Sequence, residues 1–409
     1  MQIHRRRFLQ SSVAVLAAPA PINPARAADP IKIAGIFDQS GGLDIYGQPM
    51  VACLELAVDD LNGAGGLLGR KVELIKYDPQ SNIQFYTQFA TAAATKDKAA
   101  AVFAGITSAS REAIRPVLRR YQTVYFYPTL YEGGVCDRNT FMTGTTPGQT
   151  IDKILPAVMK EHGKKIYVIA ADYNFGQISS DWVKKYAKDN GGEVIATDFF
   201  PLDVTEFGPT IKKIQAAKPD ILFTILVGGN RMSFFRQWAA AGMAGQIPIA
   251  SSDFGTGNEH KVLTPAESNG IVAAYGYFQE LQTPGNAAFL ERLRHKFGDK
   301  TPYLNELAVK TWYAVMHWAN GVKTAGSIER MAVIKGVETN PVVDGPGGRS
   351  TMEAATHHCR MDIHPASVKD GAFVVSQSFP QQPPSDTAAV CDLLKNPDED
   401  KQFVIKAGT

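Results

Sequence analysis

The stretch AAVFAGITSASREAIRPVLRRYQTVYFYP, from Ala100 to Pro128, contains a complete strand–helix–strand unit. The apolar run AAVFAG predicts a strand, and a turn rich in small hydroxyl residues follows it. A helix is predicted from Ser108 to Arg120, and the run TVYFYP predicts the next strand. Two strands joined through a helix in this way lie parallel in one sheet, with the helix on its face.

The same alternation of strand and helix occurs along most of the chain. One series begins at Ile31, and a second series of similar size begins at Lys164 without being a close repeat of the first. The segment GTTPGQT, Gly144–Thr150, is predicted to cross between the two halves. A chain of 409 residues is long enough for two domains. We therefore predict an α/β fold of two doubly wound, Rossmann-like lobes with a hinge and an interlobe cleft.

The first residues have the pattern of a twin-arginine export signal. The basic segment RRRFLQ, Arg5–Gln10, precedes an apolar run and the cleavage pattern Ala25–Ala27. We expect cleavage after Ala27 and a periplasmic location. Without the four arginines of this segment, the 42 basic residues fall to 38, against 40 acidic ones. A nearly neutral mature chain is not expected to bind nucleic acid. Membrane insertion is not expected either, because no stretch after the first thirty residues has eighteen uninterrupted apolar positions.

The predicted domain organisation has a signal peptide, two lobes and a tail. Each lobe is expected to contain two separate segments of the chain, because the second half is followed by further helices and short strands. The predicted boundaries are 1–27 for the signal peptide, 28–147 plus 278–340 for lobe I, 148–277 plus 341–385 for lobe II, and 386–409 for the C-terminal tail.

The chain contains four cysteines: Cys53, Cys136, Cys359 and Cys391. An even number of cysteines in an exported chain indicates at least one disulfide, although spacing does not select among the three pairings. We weakly favour pairing Cys359 with Cys391 and Cys53 with Cys136. The segment THHC, Thr356–Cys359, with His364 is the one candidate metal site, and it lacks a C-x-x-C spacing. We expect no metal and no cofactor.

Motifs of catalysis and nucleotide binding are not found in the sequence. The turn at Ser108 has no G-x-S-x-G pattern, and the loops that follow the predicted strands contain no histidine to act as a base. The sequence also contains no G-x-x-x-x-G-K-[ST] motif, and the loop after the first strand lacks G-x-G-x-x-G. We therefore expect a binding protein rather than an enzyme.

The loops at the carboxyl ends of the strands are the expected ligand-binding loops of such sheets. A helix that begins near Ser108 offers unpaired backbone N–H groups, and serine and threonine hydroxyls both donate and accept hydrogen bonds. The alternative is that Ser108 only caps its own helix. Tyr127 and Thr129 after the next strand, and Tyr173 in the second half, favour a closing pocket for a small polar molecule.

Six segments in order resemble the type I periplasmic solute-binding proteins of ABC uptake systems. The resemblance extends from about Ile31 to about Leu394, and the YEGG and ADY pieces look closest to the urea and short-chain amide binders of the branched-chain amino acid and amide–urea branch. The six segments are LNGAGGLLGRKVELI, TSASREAIRPV, YPTLYEGG, GKKIYVIAADYNFG, PLDVTEF with KKIQAAKPDILF, and YFQELQTPGNAAFLER.

The resemblance implies a set of ligand-binding residues. They are Ser108, Tyr127, Thr129, Tyr173, Gly228, Asn230 and Phe254. Amino acid binders of the family usually place an acid in the second domain, whereas the loop VGGNR here contains none. This departure favours urea, an amide or a carboxylate that reaches Arg231, unless Arg231 only starts a helix in solvent. Asp253 could supply the acid that this loop lacks, so an amino acid ligand remains an alternative.

The resemblance implies a periplasmic receptor that closes around urea, a short-chain amide or a related solute and delivers it to a membrane permease of an ABC transporter. The alternatives are a branched-chain or aromatic (amino) acid receptor and, with less support, an amide-sensing regulator or an amidase. We expect a monomer or weak dimer.

Overall fold

The computed structural model describes residues 29–339 and 341–405. The predicted twin-arginine motif and the cleavage pattern Ala25–Ala27 lie outside the described residues. Within these two ranges, every helix is too short or too polar to span a bilayer.

Strands and helices alternate as the sequence predicts. The strands are β1 Ile31–Ile36, β2 Val72–Tyr77, β3 Ala101–Ala104, β4 Val124–Tyr127, β5 Val135–Asp137, β6 Thr140–Met142, β7 Lys165–Ala171, β8 Glu193–Phe200, β9 Ile221–Ile225, β10 Ile249–Ser251, β11 Val272–Tyr275, β12 Val342–Gly345, β13 Gly348–Glu353, β14 His358–Lys369, β15 Ala372–Val375, β16 Phe379–Gln382 and β17 Asp400–Gln402. The α-helices are α1 Asp44–Gly63, α2 Ile83–Thr95, α3 Ser108–Arg120, α4 Ile151–His162, α5 Asn174–Asp189, α6 Gly208–Ala217, α7 Asn230–Ala240, α8 Pro265–Ser268, α9 Pro284–Phe297, α10 Glu306–Ala325, α11 Arg330–Val337 and α12 Ser385–Ala388.

Lobe I is built on a parallel sheet with the strand order β2-β1-β3-β4-β6. Side chains alternate between the two faces of a strand, and both faces of this sheet are buried. On one face, Phe103 stacks on Phe126 and contacts Trp318 of α10 edge-on. On the other face, Val102 and Tyr125 pack with α2 and α3. The sheet therefore holds the start of α3 at its carboxyl edge.

Lobe II is built on a second parallel sheet with the order β10-β9-β7-β8, continued by β11 beside β10. Phe223 and Val168 lie in its core. Residues 144–150 form the loop between β6 and α4, where the chain leaves the first sheet for the second. The predicted fold class, two doubly wound α/β lobes, is confirmed.

The long strand β14 joins the two sheets. His358 at its start pairs in parallel with Met142 of β6, and its second half pairs antiparallel with β11. Strands β12, β13 and β16 lie on the lobe I side, because β13 and β16 pair with the first half of β14. This differs from the predicted assignment of 341–385 to lobe II. The reason is that twelve residues of extended chain are about 40 Å long, enough to belong to both lobes.

The disulfide links Cys136 to Cys391, and Cys53 and Cys359 are buried and free. The favoured pairing of Cys359 with Cys391 and of Cys53 with Cys136 is wrong. Strand β17 returns antiparallel to β5, which carries Cys136, and this brings the C-terminal tail beside it. Cys53 instead lies in the core, on the buried side of α1.

The THHC segment is part of the core. Nε2 of His358 lies 2.5 Å from the hydroxyl of Tyr131, and Nε2 of His357 lies 3.2 Å from Oε1 of Glu338. The described ranges contain no cluster of three or more side chains suited to a metal ion.

Candidate ligand-binding site

A small cavity of about 30 Å³ lies between the lobes, at the carboxyl ends of strands from both sheets. Hydroxyl, charged and apolar side chains contribute to its wall. The lining residues are Tyr46, Ile106, Ser108, Thr129, Leu130, Tyr173, Phe175, Val227, Arg231, Asp253, Thr256 and Leu307. A cavity at this place is expected for doubly wound sheets, because the loops after the strands gather there.

The start of α3 is capped by Thr107 rather than by Ser108. The side chain of Thr107 accepts a hydrogen bond from the Ser110 N–H at 3.0 Å, and Oγ of Ser110 accepts the Thr107 N–H at 3.1 Å. This reciprocal pair is a capping box. The alternative in which Ser108 serves as the cap is therefore wrong, and its side chain is available to the cavity wall.

Ser108 is held by a buried ion pair behind the cavity. Its Oγ donates to Oε2 of Glu132 at 2.5 Å, and Nη2 of Arg111 donates to Oε1 of the same carboxylate at 2.8 Å. The Arg111 guanidinium and these hydrogen bonds lower the pKa of Glu132 despite its burial. An ionised carboxylate only accepts hydrogen bonds, so the single proton of the Ser108 hydroxyl is committed to Glu132. One lone pair of the Ser108 oxygen accepts from Nη1 of Arg111 at 3.2 Å, so a single acceptor position of this hydroxyl remains for the cavity.

The hydroxyl of Thr129 is also oriented by a hydrogen bond that it donates to the protein. Its Oγ1 donates to the backbone oxygen of Gly105 at 2.9 Å, which leaves its lone pairs toward the cavity. Gly105 has φ +92°, and a Cβ there would lie 3.1 Å from the ring of Tyr127. Glycine therefore lets the strand end approach these side chains closely. Tyr127 itself lies behind the wall, where its hydroxyl donates to the backbone oxygen of Ile106 at 3.3 Å.

Lobe II contributes a buried arginine at the start of α7. Nε of Arg231 lies 2.5 Å from Oε1 of Glu259. Its Nη1 donates to the backbone oxygen of Asp253 at 2.7 Å, and its Nη2 donates to Oγ1 of Thr256 at 3.2 Å. The alternative in which Arg231 points into solvent is wrong, because the side chain is only 2% exposed. Both of its terminal nitrogens donate to protein oxygens, whereas Nε has an ion-pair contact with Glu259 but no hydrogen-bond partner among the described residues.

Asp253 is the acid that the VGGNR loop lacks. It follows β10 and is buried, and its Oδ1 accepts from Oγ of Ser251 at 3.0 Å. Its Oδ2 has no hydrogen-bond partner among residues 29–339 and 341–405, and lies 3.7 Å from Nη1 of Arg231. Burial raises the pKa of Asp253 to about 7, although the Arg231 charge acts in the opposite direction. Oδ2 of Asp253 and Nε of Arg231 are thus buried polar atoms of cavity-lining residues without a hydrogen-bond partner in the described ranges, and leaving such atoms unpaired is costly.

Tyr46 joins the lobes across the cavity. It belongs to α1 of lobe I, and its hydroxyl oxygen accepts the backbone N–H of Gly228 at 2.9 Å and an N–H of Arg231, both in lobe II. Since that oxygen accepts from two donors, its own proton remains available to the cavity. Tyr46 is therefore both a wall residue and an interlobe contact.

The residues singled out from the sequence fall into two groups. Ser108, Thr129 and Tyr173 line the cavity. The other four lie beside or behind the wall: Gly228, whose N–H contacts Tyr46; Asn230, which donates to Pro201; Phe254, which packs on Phe235; and Tyr127.

Several site residues were not singled out from the sequence. Tyr46, Arg111 and Glu132 are examples, and their loops were recognised without a role for these side chains. No local signal identified Arg111, because its neighbours Ser110 and Glu112 are also compatible with an exposed arginine.

Two doubly wound lobes that enclose a polar cavity define the class of two-lobed solute receptors, in which a small molecule binds between the lobes. The chain belongs to the periplasmic binding protein family, whose family model matches residues 30–372. It is accordingly a substrate-binding protein that works with an ABC permease, and its relatives are receptors rather than enzymes. The narrower resemblance to the amide–urea branch is not confirmed.

Curated relatives and solved structures show the same organisation. The chain is 23% identical over 374 residues to Leu/Ile/Val-binding protein homolog 7 of Brucella abortus (strain 2308), covering 85% of this chain and 88% of the relative. It is 25% identical over 373 residues to homolog 4 of the same strain, covering 87% and 88%.

Two solved structures have the same fold with ligands of different kinds. An R. palustris solute-binding protein in complex with benzoate has a TM-score of 0.76 and 22% identity, covering 86% of this chain and 97% of that chain. The branched-chain amino acid binding protein LivJ of Streptococcus pneumoniae, in complex with isoleucine, has a TM-score of 0.73 and 19% identity, covering 87% and 100%.

Proposed function

We propose that the protein is the receptor of an ABC uptake system for a small α-amino acid with an apolar side chain, branched or aromatic. The observation that carries the proposal is the unpaired oxygen of Asp253 in the cavity wall. From the sequence, a receptor for urea or an amide was the main expectation and a receptor for a branched-chain or aromatic (amino) acid was the alternative. The names of the Brucella relatives and the isoleucine ligand of LivJ also support it.

The charges around the cavity favour a ligand with an ammonium group. Arg111 pairs with Glu132, and Arg231 pairs with Glu259, so each of these pairs is neutral. Asp253 remains as the uncompensated carboxylate when it is ionised. A ligand ammonium would supply both the missing charge and a donor for Oδ2, which relieves the cost of burying this acid.

The opposite wall fits the rest of an amino acid. The capping box uses the Ser110 N–H, so the N–H groups of Ser108 and Ala109 are the ones left at the positive end of the α3 dipole, where they suit a ligand carboxylate. The hydroxyl protons of Tyr46 and Tyr173 are further donors. Apolar side chains cover the remaining surface and suit a hydrocarbon side chain; they are Ile106, Leu130, Phe175, Val227 and Leu307.

A carboxylate ligand without an ammonium group is less well supported. Benzoate is the ligand of one solved structure with this fold. In this chain, both terminal nitrogens of Arg231 already donate to protein oxygens, and Asp253, when ionised, would repel a second carboxylate.

Urea or a short-chain amide is the second candidate, and the size of the cavity favours it. The described cavity of about 30 Å³ is far smaller than the roughly 150 Å³ that accommodates benzene. The acceptor oxygens of Ser108 and Thr129 also suit amide N–H groups. An amino acid ligand requires the lobes to close less tightly than they do here.

Ligand titration with a matched pair of variants tests the proposal. L-leucine, L-isoleucine and L-phenylalanine are expected to bind the wild type and raise its melting temperature, because they bind the native state only. Asp253→Asn should weaken their binding at least about tenfold by removing the charge partner of the ammonium group. Asp172→Asn, at an exposed acid just before Tyr173, is the control and should bind normally.

Titrations with urea, acetamide and benzoate distinguish between the alternative ligand classes. Binding of urea or acetamide without binding of amino acids would establish the second candidate. Binding of benzoate that survives Asp253→Asn would replace the proposal with an aromatic acid receptor.

The predicted twin-arginine route of export is tested separately by fractionation of cells that lack that pathway.

A further inference from the structure

We propose that Gln402, in the C-terminal tail, is a positioning residue for the ligand-binding cavity. It holds the carboxylate of Glu132, which in turn orients the hydroxyl of Ser108. The inference rests on the proposed function for its ligand, but its structural basis is independent of which ligand binds.

Gln402 completes a closed set of hydrogen bonds around the buried ion pair. Its Nε2 donates to Oε1 of Glu132 at 2.5 Å and to the backbone oxygen of Gly133 at 3.1 Å. Its Oε1 accepts from Nη2 of Arg111 at 3.0 Å. The side-chain amide therefore satisfies one partner of the ion pair as a donor and the other as an acceptor.

This arrangement reserves one carboxylate oxygen for Ser108. Oε1 of Glu132 accepts from both Arg111 and Gln402, whereas Oε2 accepts from Ser108. If Gln402 is removed, Oε1 keeps only the hydrogen bond from Arg111, and the orientation of the carboxylate is less constrained. The Ser108 hydroxyl, which donates to the same carboxylate, is then less precisely oriented toward the cavity.

The tail is fastened to lobe I at several points. Strand β17 pairs with β5, with Gln402 opposite Val135, and the Phe403 N–H donates to the backbone oxygen of Gly134 at 2.8 Å. The disulfide between Cys136 and Cys391 holds the same region. These contacts place the Gln402 side chain without any contribution from lobe II.

Three arginines on one face of α3 contact the tail. Arg111 binds the Gln402 side chain, Arg115 donates to the backbone oxygen of Asp400 at 2.8 Å, and Arg119 donates to that of Asp398 at 3.3 Å. Residues four apart lie on the same side of a helix, so the tail follows α3 toward its first turn. That first turn carries Ser108.

The tail lies outside the part of the chain that the family model matches. The match ends at residue 372, whereas Gln402 and the cysteine Cys391 come after it. The group that holds Glu132 therefore comes from a segment outside the matched range.

Binding of L-leucine is the first measurement. Gln402→Ala is expected to weaken binding about fivefold. The variant loses a hydrogen bond to the charged carboxylate of Glu132, and this loss reaches the cavity only through Glu132 and Ser108. Gln402→Glu keeps the size of the side chain but replaces the donor with an acceptor beside Glu132, and it should weaken binding at least as much. Lys401→Ala, on the solvent side of the same strand, is the control and should bind as the wild type does.

A double-mutant cycle separates positioning from packing. On the Glu132→Gln background, Gln402→Ala should cause almost no further loss, because the carboxylate that Gln402 holds is already absent. Normal L-leucine binding by Gln402→Glu, or equal losses from Gln402→Ala on both backgrounds, would overturn the proposal.

Amide hydrogen exchange of the ligand-free protein gives a readout that does not depend on the ligand. Exchange should be faster in residues 131–134 of Gln402→Ala and unchanged in Lys401→Ala. If the wild type does not bind L-leucine, the proposed function fails while this measurement still decides the role of Gln402. Unchanged exchange of residues 131–134 in Gln402→Ala would overturn the proposed positioning role of Gln402.

Discussion

Tyr46 and Arg231 meet across the interlobe cleft from helices of opposite lobes. The guanidinium carbon of Arg231 lies 5.2 Å from the centre of the Tyr46 ring, and the phenol oxygen accepts one of its N–H groups. The same oxygen accepts the N–H of Gly228 at 2.9 Å. Closing the cavity therefore forms polar contacts between protein groups as well as contacts with a ligand, and these contacts contribute to the equilibrium between open and closed lobes.

Tyr46→Phe is expected to weaken ligand binding about tenfold. The closed form would contain two buried N–H groups without an acceptor, which costs about 1–3 kcal/mol, whereas water can solvate the same groups in the open form. Titration calorimetry measures the loss, and small-angle scattering with ligand should show a larger open fraction. Tyr121→Phe, at a tyrosine that is 40% exposed, is the matched control. Wild-type affinity of Tyr46→Phe would show that the interlobe contact does not contribute to closure.

Ser108→Ala and Tyr173→Phe should separate stability from binding. Ser108→Ala removes the donor to a buried carboxylate oxygen of Glu132, so it should lower the free energy of unfolding by about 1–3 kcal/mol and also weaken binding. Burial raises the pKa of Tyr173 well above its usual value, so its hydroxyl stays protonated as a donor at the cavity. Tyr173→Phe should weaken binding and leave unfolding by urea nearly unchanged. A stable Ser108→Ala variant would contradict the hydrogen bond to Glu132.

The architecture could be predicted because it depends on local patterns. Helix α3 occupies Ser108–Arg120 as the sequence predicts. Apolar runs of strand length and helical periodicity reflect burial against the sheet, which is set within each element. The lobe to which each part of 341–385 belongs could not be predicted, because the partners of a long strand such as β14 are chosen by the whole sheet.

The charged part of the site could not be predicted from local pattern. Gln402 lies 270 residues from Glu132 in the sequence, and Arg231 lies 185 residues from Tyr46. Such pairs form only when the two lobes and the tail have folded, and residue type alone does not distinguish a buried arginine from an exposed one. Ser108 was recognised because its position after a strand is a local property of the chain.

The pKa of Asp253 predicts a pH dependence of binding. With a pKa of about 7, roughly a tenth of this carboxyl is ionised at pH 6 and roughly nine tenths at pH 8. Affinity for an amino acid should therefore rise about tenfold between these values, because its ammonium group requires the ionised acid. Binding of acetamide, which has no charge, should not follow this curve. Calorimetry at pH 6, 7 and 8 in wild type and Asp253→Asn measures the difference.

The stability of the ligand-free protein should change in the opposite direction. The folded-state pKa of Asp253 is raised above the usual 3.8, so the folded protein retains a proton that the unfolded chain has lost. The free energy of unfolding should thus fall as the pH rises from about 4 to about 7, and this contribution should be absent in Asp253→Asn. Equal slopes in the two proteins would show that Asp253 titrates normally.

The disulfide between Cys136 and Cys391 should stabilise the protein by about 2–5 kcal/mol. It closes a loop with a sequence separation of 255 residues, and a cross-link of this length strongly restricts the unfolded chain. The double variant Cys136→Ser with Cys391→Ser should therefore unfold at lower urea concentration than the wild type. The double variant Cys53→Ser with Cys359→Ser keeps the disulfide, so a reductant should destabilise it as much as it destabilises the wild type. A thiol reagent should find no reactive cysteine in the native protein, because Cys53 and Cys359 are buried, and two after unfolding without reductant. Four reactive thiols in the unreduced, unfolded protein would contradict the pairing.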